Sequence, residues 1–156
     1  MTATSHNKRT AIFPGTFDPF TIGHASIVER ALGLFDKIII AVGINYSKTS
    51  AESALSRIGE IERLYAGMED RIEVRRYSGL TVDFARQCGA GFLLRGIRSV
   101  KDFEYERDMA DINRQLSGIE TVLLYSLPEY SAVSSTLVRE LEYHGKDVSA
   151  FLPPKK

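Results

Sequence analysis

Residues 37–43 read KIIIAVG, a run that is almost continuously apolar and rich in β-branched side chains. Such a run is typical of a strand that is buried on both faces of a parallel sheet. The preceding sequence fits the same arrangement. A short apolar run at residues 10–13 stops at Pro14 and Gly15, which predicts an earlier strand, and residues 25–32 have apolar positions at helical spacing.

After this run the chain alternates between helix-like and strand-like patterns. An amphipathic helix is predicted at residues 53–66, and a helix capped by Ser134 or Ser135 is predicted to end near residue 143. Between them the pattern predicts strands at 71–76, 92–94 and 120–125, and helices at 80–88 and 101–116. Strand and helix alternate five times, which predicts an open parallel five-stranded α/β sheet with helices on both faces.

Open parallel sheets bind ligands outside the carboxyl ends of their strands, near the point where the strand order reverses. The loops that follow the predicted strands should therefore share one rim. These loops are residues 14–24, 44–50, 77–81, 95–102 and 126–136. The sequence predicts a functional site on this rim.

The composition fits a single domain of 156 residues, with 44% hydrophobic and 26% charged residues. The polar N-terminus lacks an apolar signal region, and residues 1–8 are expected to be flexible. No apolar run approaches the about 20 residues of a membrane span, so a cytoplasmic protein without a membrane partner is expected. Twenty basic residues balance twenty acidic ones, which argues against a general nucleic-acid binder. The one cysteine, Cys88, excludes an intrachain disulfide and is expected to be a buried structural thiol.

The first loop on the rim carries the sequence TFDPFTIGH at residues 16–24. Gly15 just before it lets the backbone approach a ligand closely, because glycine has no Cβ. Gly23 and His24 open a helix whose free amide groups and dipole favour an anion. His24 can donate a hydrogen bond to a phosphate oxygen in a transition state. The alternative is a tight turn in which the histidine only caps the helix.

Two other loops carry groups that suit phosphate. Arg95 and Arg98 lie three residues apart after a predicted strand, and guanidinium groups make bidentate phosphate contacts. The alternative for them is a solvated loop that pairs with the acidic residues following it, which are Asp102, Glu104 and Glu106. The hydroxyls and amides of residues 134–136 begin a helix and form either a phosphate cradle or ordinary caps.

These segments together resemble a known family. Residues 21–24, Thr-Ile-Gly-His, resemble the T/H-x-G-H signature of the nucleotidyltransferase superfamily, which has a Rossmann-like fold. The longer stretch at 14–24 and the stretch RGIR followed by DFEYE at 95–106 resemble the bacterial phosphopantetheine adenylyltransferase family. Residues 130–139 resemble the superfamily's I-S-S-T-x-x-R element, and the likeness extends over about residues 9–153. It implies transfer of the adenylyl group of ATP to 4′-phosphopantetheine, giving dephospho-coenzyme A and pyrophosphate.

The resemblance also assigns roles to residues. It implies that the catalytic residues are His24, Thr16, Lys48 and Arg95, and that the acceptor site consists of Thr16, Lys48, Thr81 and Arg95. It implies an ATP site made of Thr16, Phe17, His24, Gly96, Ile97, Arg98, Glu106, Tyr130, Ser131, Ala132, Val133, Ser134, Ser135 and Thr136. Each of two residues also has a purely structural interpretation. Lys48 would then be a solvated loop lysine, and Thr81 would be a residue in the first turn of a helix.

The same resemblance implies Mg²⁺ as the cofactor, a homohexamer, and coenzyme A as a feedback ligand at the site. The sequence contains no metal-binding motif. Two other functions stay open at this point. One is a sister enzyme, such as a nicotinamide mononucleotide adenylyltransferase or a glycerol-phosphate cytidylyltransferase, which would share the first and last motifs but lack the 95–106 stretch. The other is a non-catalytic nucleotide-binding protein.

Overall fold

A computed structural model describes residues 8–44 and 51–155 of the chain. Residues 1–7 of the expected flexible segment and the predicted site residue Lys48 lie outside these described residues. The elements are β1 (Thr10–Gly15), α1 (Ile22–Ala31), β2 (Lys37–Gly43), α2 (Ala51–Leu64), β3 (Ile72–Tyr77), α3 (Thr81–Gln87), β4 (Phe92–Ile97), α4 (Val100–Ser117), β5 (Glu120–Tyr125) and α5 (Ser135–Tyr143). Short 3-10 turns occur at Pro128–Tyr130 and Ser149–Phe151.

The described part of the chain forms a five-stranded sheet in the order β3-β2-β1-β4-β5 with parallel pairing throughout. This confirms the predicted fold class. Because β2 and β4 lie on opposite sides of β1, the strand order reverses between β1 and β4. The carboxyl ends of these two strands are therefore the place where such a sheet opens a crevice for a ligand.

Strand β2 shows why the KIIIAVG run is apolar on every position. Ile38, Ile40 and Val42 point into a core shared with α1 and α2, on one face of the sheet. Ile39 and Ala41 point into a second core with α3 on the other face. Both faces are thus covered, and a continuous apolar run is what such a strand requires.

Strand β4 is longer than the sequence predicted. It reaches Ile97, which pairs with Tyr125 of β5, so that Arg95 and Gly96 lie inside the strand rather than in the loop after it. The prediction was wrong here because a charged residue and a glycine interrupt the apolar pattern while the backbone pairing continues. The glycine has a packing reason, since a Cβ at Gly96 would lie 3.1 Å from the Ile27 side chain of α1.

The expectation of a buried structural thiol was also wrong. Cys88 lies at the C-cap of α3 and is only partly buried, and the guanidinium of Arg75 donates to its sulfur at 3.3 Å. No helix among the described residues is long and apolar enough to span a bilayer.

Candidate active site

A cavity of about 440 Å³ opens at the carboxyl ends of β1 and β4, where the strand order of the sheet reverses. Such a volume is in the range of small-molecule sites. The β1–α1 loop, the end of β4 with the start of α4, and the segment leading into α5 form its walls. It brings together these predicted site residues: Thr16, Phe17, His24, Arg95, Gly96, Arg98, Glu106, Tyr130, Val133, Ser134, Ser135 and Thr136.

The other predicted residues lie elsewhere. Ile97 is buried at the end of β4, while Ser131 and Ala132 are exposed in the turn beside the cavity. Thr81 begins α3, and its hydroxyl lies 3.0 Å from the hydroxyl of Tyr77. Lys48 is outside the described residues, so its position relative to the cavity stays a prediction.

Aromatic packing shapes the β1–α1 loop. Phe17 has a positive φ of 52°, a conformation uncommon for any residue other than glycine, and its ring lies over Gly15. A Cβ at Gly15 would approach that ring to 2.8 Å, which explains the glycine at this position. The rings of Phe17 and Phe20 also lie 5.0 and 5.4 Å from the imidazole of His24.

His24 and Thr21 form a capping box at the start of α1. The Thr21 hydroxyl accepts from the His24 backbone N–H at 3.3 Å, and the Thr21 backbone N–H donates to His24 Nδ1 at 2.9 Å. A backbone N–H can only donate, so Nδ1 is the unprotonated nitrogen. In the neutral ring the proton must then sit on Nε2, the nitrogen on the opposite side. The box therefore presents His24 as a hydrogen-bond donor through Nε2.

The neutral form of His24 is strongly favoured. Burial lowers its pKa from 6.5 to about 4, and the positive charges of Arg98 and Arg95 act in the same direction. Removing a charged imidazole from water is costly, and two nearby cations add repulsion. His24 therefore remains an uncharged donor at neutral pH, while the arginines supply the positive charge of the site.

Arg95 is held by two partners. Its Nε donates to both carboxylate oxygens of Glu106 at 3.0 Å and its Nη2 donates to one of them at 2.7 Å. Its Nη1 donates to the Pro14 carbonyl oxygen at 2.8 Å. Glu106 is 7% exposed, whereas the Arg95 side chain keeps about a third of its surface open. This fork-to-fork pair fixes one guanidinium at the edge of the cavity.

Arg98 is held by the start of α4. Its backbone N–H donates to the Asp102 carboxylate at 3.1 Å, and its side-chain Nε lies 3.6 Å from the same oxygen. Ser99 caps the helix by accepting from the Asp102 N–H at 3.1 Å. The two arginines therefore do pair with acidic residues that follow them, Arg95 with Glu106 and Arg98 with Asp102. Both arginines nevertheless line the cavity.

The start of α5 closes the third side. The Ser134 hydroxyl accepts from Leu137 N–H at 3.1 Å as a helix cap, and the Ser135 hydroxyl donates to the Pro19 carbonyl at 2.8 Å. The second bond ties α5 to the β1–α1 loop. The helix start, with its amide groups and dipole, therefore borders the same space as His24 and favours an anion there.

Four contributors were missed as site residues. Asp102 and Thr21 hold Arg98 and His24, the Pro14 carbonyl holds Arg95, and Arg139 lines the cavity while donating to Asp18 O and, at 3.3 Å, to Thr136 Oγ1. Arg139 had a signal, because it is the arginine of the I-S-S-T-x-x-R element. The carbonyl had none, since no side-chain type marks a main-chain acceptor.

Comparison with known proteins first defines the class. A model of the cytidylyltransferase-like family matches residues 12–141. A putative nicotinate-nucleotide adenylyltransferase from Vibrio parahaemolyticus has the same fold, with a TM-score of 0.61, 18% identity and coverage of 94% of each chain. A bifunctional NMN adenylyltransferase/ADP ribose pyrophosphatase from Francisella tularensis gives a TM-score of 0.67 at 17% identity, over 96% of this chain and 46% of its own. Fold and site together are those of a nucleotidyltransferase enzyme.

Curated relatives are more specific. The phosphopantetheine adenylyltransferase of Bacteroides fragilis is 55% identical over 93% of this chain and 96% of its own length. Those of Bacteroides thetaiotaomicron and of Porphyromonas gingivalis strain W83 are each 57% identical, over 93% and 94% of this chain and 95% of their own. The chain belongs to the phosphopantetheine adenylyltransferase family.

Proposed function

We propose that the chain transfers the adenylyl group of ATP to 4′-phosphopantetheine, giving dephospho-coenzyme A and pyrophosphate in the penultimate step of coenzyme A synthesis. Family membership supports the identity of both substrates. One structural observation carries the chemistry: the Thr21 N–H to His24 Nδ1 hydrogen bond makes Nε2 the donor of an uncharged histidine in a cavity that it shares with Arg95 and Arg98.

The reaction needs alignment and charge stabilisation from the protein. A phosphate oxygen of the acceptor attacks the α-phosphorus of ATP, and the bond from that phosphorus to the β-phosphate bridging oxygen breaks. The leaving pyrophosphate keeps the electron pair. Because the acceptor phosphate is already an anion, no general base is required. Positioning and preorganised donors then supply the rate enhancement.

The residues around the cavity divide between the two substrates. His24 Nε2–H donates to the α-phosphoryl oxygens as negative charge develops there. Thr16 positions the acceptor phosphate, which Arg95 and Lys48 bind. Arg98 and the start of α5 bind the outer phosphates of ATP. The cavity places His24, Arg95 and Arg98 on one rim, which supports this division.

The remaining assignments rest on the family resemblance. Thr81 contacts the pantetheine arm. The rest of the ATP site would be Phe17, Gly96, Ile97, Glu106 and residues 130–133. Of these, Glu106 has a competing role, because Arg95 already contacts both of its oxygens.

Nucleotidyltransferases generally use a divalent metal, and we propose Mg²⁺. Among residues 8–44 and 51–155 no three His, Cys, Asp or Glu side chains form a group suited to a metal ion. The two carboxylates at the cavity edge, Asp102 and Glu106, are paired with arginines. The described side chains therefore do not provide a metal cage, and Mg²⁺ would enter as part of the ATP substrate, with its phosphates as ligands.

The proposal extends to the working form of the protein. We propose that residues 1–156 form a single nucleotidyltransferase domain, and the single five-stranded sheet of the described residues supports this. We further propose a homohexamer in the cytoplasm, where ATP is available, with coenzyme A as a feedback ligand at the same site. Mass measurement in solution tests the assembly.

A panel assay tests the activity. ATP or CTP is offered with phosphopantetheine, nicotinamide mononucleotide or glycerol phosphate, and pyrophosphate release is measured. Of these combinations, we expect turnover only for ATP with phosphopantetheine. Turnover with another acceptor would reassign the chain to a sister enzyme, and binding of ATP without any turnover would make it a non-catalytic nucleotide-binding protein.

A further inference from the structure

A second cavity, of about 430 Å³, borders the β1–α1 loop. Pro19 and Phe20 of this loop form one wall, the last residues of α2 form another, and residues 152–155 form the third. No residue that the structure describes lines both this cavity and the active-site cavity. The volume is in the range of small-molecule sites. We call this second cavity the rear cavity.

The β1–α1 loop separates the two cavities. Pro19 and Phe20 line the rear cavity, whereas the residues before and after them line the active-site cavity: Phe17, Asp18 and Thr21. The Phe20 ring also lies 5.4 Å from the imidazole of His24, and the Pro19 carbonyl accepts from the Ser135 hydroxyl at 2.8 Å. A ligand in the rear cavity therefore contacts residues that themselves contact the active site.

Much of the lining of the rear cavity is apolar. Ile61 and Leu64 come from α2, Leu152 and Pro153 from the C-terminal segment, and Phe20 from the loop. Ile61 and Phe20 are 1% and 8% exposed and also belong to the core shared with α1, so packing fixes their positions. Such a lining stabilises an apolar ligand by removing its surface from water.

Two cations also line the rear cavity. Arg63 and Lys155 are exposed there, and no ion pair of the described residues includes either of them. Glu60 is the one carboxylate among the described lining residues, so the cations outnumber the acids. Cations beside an apolar lining are complementary to a ligand that has an anionic head and an apolar body.

We propose that the rear cavity is a second ligand site, which takes a small monocarboxylate with an apolar body, and that its occupant strengthens ATP binding in the active-site cavity. The apolar body packs against Phe20, Ile61 and Leu152, and the carboxylate pairs with Arg63 or Lys155. Contact with Phe20 restrains the loop that carries His24, so less ordering remains to be done when ATP binds. Only the coupling to ATP rests on the proposed function.

Titration of the full chain with octanoate tests the site. We expect a Kd of about 1 mM, an affinity typical of so small a ligand. Methyl NMR signals of Ile61, Leu64 and Leu152 should shift more than that of Ile27, which lines the active-site cavity. 1-Octanol has the same apolar body without the charge, and it should bind at least about 5-fold more weakly than octanoate.

Variants test the two parts of the lining separately. A chain with both Arg63→Gln and Lys155→Gln should bind octanoate at least about 5-fold more weakly and 1-octanol unchanged. Arg76→Gln, at an exposed arginine of β3 outside the rear cavity, is the control. Leu152→Trp should fill the cavity and abolish binding of both probes. The chain has no tryptophan of its own, so the emission of the new ring shows whether it is buried.

Calorimetry tests the coupling. We expect saturating octanoate to lower the Kd for ATP at least about 3-fold, and ATP to lower the Kd for octanoate by the same factor, because coupling between two binding sites is reciprocal. Leu152→Trp should bind ATP without any response to octanoate.

The outcomes separate the parts of the proposal. Largest methyl shifts at Ile27 would place octanoate in the active-site cavity and overturn the second site. Equal binding of octanoate and 1-octanol, or unchanged octanoate binding by the double variant, overturns the carboxylate as the preferred head group. Unchanged or weaker ATP binding at saturating octanoate overturns the coupling. A chain that binds no ATP contradicts the proposed function instead, and in that case the methyl shifts and the double variant still decide the rear cavity.

Discussion

The two sides of the cavity are built by different means. On the α1 side, the backbone of a residue three positions earlier orients His24, and neighbouring aromatic rings surround it. On the β4 side, two carboxylates of α4 hold the arginines. Glu106, 11 residues after Arg95 in the chain, binds Arg95, and Asp102 binds Arg98. The α1 side is local and uncharged, whereas the β4 side depends on charge and on the placement of another helix. His24 must donate in a fixed geometry to act on a transition state. Arg95 and Arg98 must keep their positive charge to bind substrate phosphates, and the carboxylates of α4 orient them.

Removal of the local donor should have the largest effect. We expect His24→Ala to lower kcat at least about 10²-fold with a smaller change in KM, because the lost hydrogen bond strengthens as charge develops. Steady-state kinetics with both substrates measures this. His144→Ala, an exposed histidine at the C-cap of α5, is the matched control. A correctly folded His24→Ala enzyme with near-normal kcat would remove His24 from the mechanism.

Loss of one charge on the other side should act on binding instead. Glu106→Gln keeps the shape of the side chain but weakens its hold on Arg95, so we expect KM for phosphopantetheine to rise about 10-fold with a smaller change in kcat. Glu104→Gln, which lies on the exposed part of α4, serves as the control. If KM for ATP rises and KM for the acceptor does not, Glu106 binds nucleotide as the family resemblance implies.

Acidification should destabilise the α1 side. The pKa of His24 is lowered from 6.5 to about 4 by burial first and then by Arg98 and Arg95. Between these values the unfolded chain binds more protons than the folded one, so the free energy of unfolding falls as the pH drops. We expect this group to contribute a loss of about 1 kcal/mol per pH unit between pH 6 and 5.

Urea unfolding at several pH values measures that slope, with His24→Gln as the reference. The variant lacks the histidine and should show a shallower decline over the same range. Equal slopes in the two proteins would mean that the His24 pKa is not lowered in the folded state.

The contrast between the two sides also marks what the sequence could predict. The KIIIAVG strand and the T-x-G-H helix start are local patterns, and the structure places both where the sequence predicted them. The pairing of Arg95 with Glu106 and with the Pro14 carbonyl depends on contacts across 11 and 81 residues, and no local pattern specifies a carbonyl partner. Finally, the capping and binding interpretations of Ser134 are compatible, because its hydroxyl accepts from Leu137 N–H at the start of α5 while the residue lines the cavity.

The smallest effect is expected for a variant that removes the Thr21 hydroxyl from the capping box and keeps the Thr21 backbone N–H. Thr21 is 1% exposed, and valine matches its shape while removing the hydroxyl that accepts from His24 N–H. Thr21→Val should cost about 1 kcal/mol of stability through the lost cap. It should leave His24 protonated at Nε2, because the backbone N–H that donates to Nδ1 remains. ¹⁵N chemical shifts of the imidazole report which nitrogen carries the proton, and Thr21→Ser, which keeps the hydroxyl, is the control. A change of tautomer in Thr21→Val alone would show that the hydroxyl, and not the backbone, orients the donor on the α1 side.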